Sequence, residues 1–404
     1  MLSLSDIIVD IPPSPTLAAT DKANKLKAEG KDVIALTVGE PDFNTPDHIK
    51  AAAVEALNKN MTRYVSAQGI LPLREEIVKK IKNDQKLEYK PSEVIVTNGG
   101  KHALAAAFSV LLNPGDEVVI PAPYWTSYPD MVKIAGGVPV ILETKAANGY
   151  EFTADDLLKV CTPKTKIIVL NTPSNPTGAC LSESLLKEIA AAIKTLKNYQ
   201  NIAIVSDEVY EYIAYDGFKH TSFLTVAPEL REQSIIVNAF SKTYAMTGWR
   251  VGYAVGPKNV IDAMSNHQSQ FTSNVCSIAQ YAASKAYSDG GAFPLMMRDD
   301  FSRRLNIVCE AVKEMPGIAL SVKPRGAFYT FLEVDGLIGK KTPSNNTITC
   351  GNDFTEYLLN DFNIVTVQGE AFGAKAAFRI SFALETSQLL KALDRIKEAA
   401  SKLK

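Results

Sequence analysis

Residues 238–252, Asn238-Ala239-Phe240-Ser241-Lys242-Thr243-Tyr244-Ala245-Met246-Thr247-Gly248-Trp249-Arg250-Val251-Gly252, decide how this chain is read. They lie between two apolar, strand-like runs, Ser234 to Ala239 and Val251 to Val255. Lysine is almost never fully buried without a partner. One placed directly after a buried strand therefore suggests a used amine, a nucleophile toward carbonyl groups once its surroundings lower its pKa. Arg250 follows eight positions later and Ser241 immediately precedes the lysine, so a cation and a hydroxyl converge on one anion. A phosphate fits that description. Taken alone, Ser-Lys-Thr is commonly a surface loop.

Outward from this segment the pattern is regular. The short β-branched runs Glu93 to Thr97, Glu117 to Ile120, Lys166 to Leu170 and Ile202 to Ser206 alternate with amphipathic helical stretches. Such alternation requires crossover connections and predicts an α/β protein whose mostly parallel sheet is flanked by helices. Beyond residue 290 the character changes to a long polar helix, strands near Ala327 to Val334 and Ala376 to Phe382, and a last helix from about Ser387, the outline of a smaller α+β domain. The expected division is an N-terminal arm and part of the small domain over 1–45, a large domain over 46–290 and a small C-terminal domain over 291–404. The prolines of residues 11–16 predict an extended arm that packs with the C-terminal domain. Thr45 is expected to cap a helix whose first residue is Pro46. The cleft between the two domains is the expected site.

Composition excludes several classes. The chain has 404 residues, 46% hydrophobic and 22% charged, with a formal net charge of -1. That balance lacks the basic face that nucleic acid or an anionic membrane surface would require. Five scattered cysteines without a CxxC pair point to a reduced compartment. No secretory signal is legible at the start, no apolar run approaches membrane-spanning length, and no metal is expected. A cytoplasmic protein is the resulting expectation.

Other chemistry-bearing residues sit where strands should end. Asn175 lies in Asn171-Thr172-Pro173-Ser174-Asn175-Pro176-Thr177-Gly178, which follows a buried run. Ligands bind at that end of an open α/β sheet, although Asn-Pro-Thr-Gly is also an ordinary turn. A cis bond is expected before Pro176. Asp207, in Ser206-Asp207-Glu208-Val209-Tyr210, offers a carboxylate at another strand end or a plain helix cap. Asn98-Gly99-Gly100-Lys101 is a glycine turn before a helix, where backbone amides favour phosphate. Trp125 follows a further strand, as a ring for stacking or as core. Arg379 alternates with apolar neighbours in Phe378-Arg379-Ile380, so it either faces solvent or waits for a carboxylate that its fork matches.

Together the Lys242 segment, Asn175-Pro176-Thr177-Gly178 and Asp207 closely resemble the signature of class I pyridoxal-phosphate-dependent aminotransferases, over essentially the whole chain. The aspartate (aspartate/prephenate) subgroup is the most similar. The resemblance implies a fold-type I transferase that carries pyridoxal 5'-phosphate as a Schiff base on Lys242. It further implies that the phosphate is held by Gly100, Lys101, Ser241 and Arg250, and by Tyr64 of a second subunit, so that a homodimer shares its sites. Asp207 would face the ring nitrogen, Asn175 and Tyr210 the phenolic oxygen, and Trp125 the ring face. Arg379 and the backbone at Gly39 would bind the substrate α-carboxylate, while Lys101 and Thr16 would reach a distal one. The implied reaction moves the amino group of L-aspartate or L-glutamate to a 2-oxo acid such as 2-oxoglutarate, giving oxaloacetate and L-glutamate in the first case. Two departures stand out. Ala239 occupies a place where the family usually has Gly or Ser. Pro12 stands where prephenate-using members carry a basic residue. Action on prephenate, aromatic or other amino acids and a β-lyase reaction on the same scaffold remain as alternatives, with a non-catalytic cofactor-binding regulator as the rival from another class.

Overall fold

Strands whose every residue is buried need cover on both faces, and the inner strands Ser234–Ala239 and Gly252–Val255 have that character. The computed structural model describes residues 2–404. Its strands are β1 (Ile34–Ala35), β2 (Val94–Thr97), β3 (Glu117–Ala122), β4 (Val138–Glu143), β5 (Thr165–Asn171), β6 (Ala203–Asp207), β7 (Ser234–Ala239), β8 (Gly252–Val255), β9 (Tyr329–Glu333), β10 (Ile364–Val365), β11 (Val367–Gln368) and β12 (Ala377–Ser381). Seven of them form one sheet in the order β2-β8-β7-β6-β5-β3-β4. β8 runs antiparallel to β2 and β7, whereas the other neighbours are parallel, as the alternating pattern predicts. β2, β3, β5, β6 and β7 consequently all end at the same edge of the sheet.

β4 is absent from the strands expected above because Pro139 interrupts its run. The structure puts β4 at the sheet's edge, where a missing N–H on the open side costs no ladder bond.

The N-terminal segment does pack with the C-terminal one. β1 pairs in parallel with β10, and Leu36 both donates to Val365 O and accepts from Ser381 N, 2.8 Å each. β9, β11 and β12 form a separate antiparallel sheet in which Arg379 lies opposite Phe331. Two expectations about the first segments need correction. Residues 11–16 are not extended throughout, because Pro15 begins the helix Pro15–Ala28, where its missing N–H would have had no partner anyway. A short helix, Asp6–Val9, also precedes it. Thr45 does not cap the helix Asp47–Asn58, since its hydroxyl donates to Ala245 O at 2.7 Å and accepts from Trp249 Nε1 at 3.0 Å.

Candidate active site

Five strand ends and the antiparallel sheet enclose a cavity of about 570 Å³. Thr16, Gly39, Gly100, Lys101, Trp125 and Asn175 line it together with Asp207, Tyr210, Ser241, Lys242, Arg250 and Arg379. Tyr64 alone of the residues singled out from sequence is not part of it, and this side chain is 91% exposed.

The floor is set by the parallel strands. Asp207 closes β6 between Asn171 of β5 and Val237 of β7. Its carboxylate accepts from the Tyr128 hydroxyl at 2.6 Å and from Val209 N at 3.3 Å. Burial pushes Asp207 up to about 6, and the Tyr128 hydrogen bond opposes that rise. Asn171 Nδ2 donates to Asp207 O at 3.1 Å while its Oδ1 accepts from Asn175 N at 3.0 Å, so the ends of β5 and β6 are tied together. The bond before Pro176 is cis, as expected, and so are those before Pro123 and Pro173.

Lys242 follows β7 in the short helix Phe240–Thr243, and its amine donates to Gly39 O. Burial lowers the amine to about 8; the charges of Arg250 and Arg379 act in the same direction, whereas Glu40 and Asp207 oppose it.

One wall is built for an anion. The helix Gly100–Leu111 starts at the end of β2, and its first two residues line the cavity, where the positive end of the helix dipole favours negative charge. Gly99 has φ of +84°, and a Cβ there would lie 2.6 Å from Arg250 Nη2. A Cβ on Gly252 would lie 2.5 Å from Gly99 C. These glycines let Arg250 and the helix start approach one another. Arg250 itself donates to Thr247 O and Asn98 O, two neutral carbonyls, at 2.9 and 3.2 Å.

Arg379 forms the opposite wall. It is 1% exposed and donates to Asn175 Oδ1 at 2.9 Å and Thr37 O at 2.6 Å, while its buried Nε finds no partner among the described residues. A buried guanidinium with neutral partners and a free N–H is costly unless an anion completes it.

The match to the family model "Aminotransferase class I and II" spans residues 31–396. The chain belongs to this family. Among curated relatives, the aspartate aminotransferase of Geobacillus stearothermophilus is 45% identical over 398 residues, covering 98% of both chains. The aspartate/prephenate aminotransferase of Cereibacter sphaeroides is 43% identical over 396 residues, again covering 98% of each. Among solved structures, the aspartate aminotransferase from Rhizobium meliloti superposes with a TM-score of 0.96 at 39% identity, covering 100% of both chains. That from Thermus thermophilus with maleate gives 0.90 at 38%, covering 99% of this chain and 100% of that one.

Members of this family are pyridoxal-phosphate-dependent enzymes, and so is this aminotransferase. Its donor set fits the cofactor: bare helix-start amides with Arg250 and Ser241 for a phosphate, a buried carboxylate for a ring nitrogen, and an amine of lowered pKa between them. Two further lining residues escaped the sequence reading. Tyr128 reaches Asp207, and the Tyr329 hydroxyl lies 2.9 Å from that of Tyr210. No spacing announces either contact, because both join residues far apart in the chain. Outside the cavity, Glu208, Glu211 and His220 have ligand-type atoms within 4.8 Å of one another. Protein donors already hold the carboxylates: Ser206, Ser222 and Gln85 at Glu208, and Lys80, Gln85 and Asn238 at Glu211. Among the described residues no helix is long and apolar enough to cross a membrane.

Proposed function

We propose that this aminotransferase moves the amino group of L-aspartate to 2-oxoglutarate, giving oxaloacetate and L-glutamate. The observation that carries the reading is a single cavity in which an amine of lowered pKa lies between an arginine without an anionic partner and, at the rim, Lys101 and Thr16. Relatives and structural neighbours named aspartate aminotransferase support it, and one neighbour was solved with maleate, a dicarboxylate of aspartate's length.

When bound, pyridoxal phosphate supplies an electrophilic carbon conjugated to an electron-withdrawing ring. Gly100, Lys101, Ser241 and Arg250 would hold its phosphate. Asp207 would keep a proton on the ring nitrogen, since a carboxyl at about 6 is largely ionised at neutral pH. Arg379 grips the α-carboxylate of the substrate through its paired N–H groups. Lys242 Nζ takes the proton from the substrate α-carbon, a task for which a free amine near pH 8 is suited. Lys101 Nζ, 5.0 Å over the Trp125 ring, meets the distal carboxylate with Thr16. Desolvation and the Arg250 charge lower the Lys101 amine from its ordinary range, and an incoming carboxylate would oppose both effects.

The finer expectations belong to the same reading. Residues 46–290 form the large domain, 291–404 the small C-terminal one, and 1–45 an N-terminal arm and part of the small domain. The enzyme is a cytoplasmic homodimer in which Tyr64 completes the partner's phosphate site, in keeping with its exposure outside its own cavity. Pro12 argues for aspartate without prephenate. The test is a half-reaction: aspartate, alanine, phenylalanine and cystathionine are added separately to the holoenzyme and the cofactor absorbance is followed. Fast conversion by aspartate above the rest supports the reading, and indifference to aspartate would refute it.

A further inference from the structure

Tyr329 belongs to none of the motifs above, yet three other segments meet on its ring. Its hydroxyl is 2.9 Å from that of Tyr210, which follows β6. The Arg379 guanidinium of β12 lies 4.5 Å from its ring centre. A Cβ on Gly39 would fall 2.9 Å from the Tyr329 oxygen but 4.0 Å from the carbon bearing it. The ring is buried and still borders the cavity.

A hydroxyl has one proton, and its direction matters here. Neither phenol has another hydrogen-bond partner among the described residues. If Tyr210 donates to Tyr329, nothing is left for Tyr210 to offer the cavity. If Tyr329 donates, the Tyr210 proton is free to point inward. The Arg379 guanidinium lies 4.5 Å from the ring centre of Tyr329, the phenol it faces directly, and its positive charge favours release of the Tyr329 proton against the rise that burial imposes on both phenols. Tyr329 is therefore the better donor of the two. Gly39 does not have a left-handed backbone, so the demand for glycine there comes from the space that this hydroxyl occupies.

We propose that Tyr329 is a positioning residue whose hydroxyl donates to the oxygen of Tyr210, turning the Tyr210 proton into the cavity, and that residue 39 is glycine to leave room for that hydroxyl. The inference rests on the reading that Tyr210 faces the phenolic oxygen of the cofactor. A donor at that oxygen favours the deprotonated form of the cofactor–lysine chromophore, so weakening the donor moves its titration upward.

The test is the pH titration of cofactor absorbance in the holoenzyme, compared among the native protein, Tyr210→Phe, Tyr329→Phe and the double variant, with thermal unfolding as the check on folding. Tyr210→Phe should raise the midpoint. Tyr329→Phe should raise it less, by about half a pH unit, and the double variant should match Tyr210→Phe alone. Gly39→Ala should raise the midpoint in the native background and add nothing to Tyr329→Phe. A folded Tyr329→Phe enzyme with the native midpoint, a shift that adds in full to that of Tyr210→Phe, or an equal Gly39→Ala shift in both backgrounds would overturn the proposal. A native midpoint in Tyr210→Phe would overturn the placement of Tyr210 as well.

Discussion

The floor and the substrate wall of the cavity are built differently. On the floor, Asp207 has protein donors on both carboxylate oxygens and sits on strands hydrogen-bonded from end to end. On the wall, Arg379 keeps a buried N–H without a partner among the described residues, and Lys101 has an aromatic face. The floor is satisfied by the chain itself, whereas the wall is completed by what binds. On the proposed reading, chemistry common to many substrates falls to the sheet, and discrimination to groups whose electrostatic partner is the ligand.

Substitutions can break this contrast in order of severity. Lys242→Ala removes the base and the attachment point, and kcat should fall by at least about 10²- to 10⁴-fold with every amino acid, measured as 2-oxo acid release. Asp207→Asn removes the charge that keeps the ring nitrogen protonated. It should cost on the order of 10²- to 10³-fold in kcat, again whatever the substrate. Arg379→Lys loses the two-pronged grip on the α-carboxylate, and kcat/KM should drop by roughly 10²-fold for aspartate and alanine alike. Lys101→Ala should sharpen the comparison most: about 5-fold in kcat/KM for aspartate, the scale of an exposed ion pair, and little for alanine. Equal losses for the two substrates would remove Lys101 from specificity.

The pH behaviour of the apoenzyme follows from the Lys242 amine. The protonated form cannot attack an aldehyde, and burial lowers this amine to about 8. The rate of pyridoxal phosphate uptake should therefore rise with pH up to about 8 and level off above it, as stopped-flow absorbance would measure. A rise continuing toward the ordinary lysine range would contradict the placement of this amine in a desolvated cavity.

Much of the floor was legible in the sequence because its signals are local. Asn175, Asp207 and Lys242 each stand just beyond an apolar β-branched run, and strand ends of a parallel sheet gather at one edge whatever the details of packing. The wall was harder. The place of Arg379 follows from its alternation within β12, but its neighbours Thr37 and Tyr329 come from segments 342 and 50 residues away in the chain, a proximity that no periodicity encodes. The same holds for Tyr128, one of 15 tyrosines, whose hydroxyl reaches Asp207 across 79 residues. β4 was hidden by Pro139, and the role of Thr45 by a helix start whose neighbour, Trp249, competes for its hydroxyl.

The attachment of the cofactor is the central claim and can be measured outright. The holoenzyme is reduced with borohydride and digested, and the peptides are sequenced by mass spectrometry. The phosphopyridoxyl group should be found on Lys242; its presence on another lysine, or on none, would contradict the account.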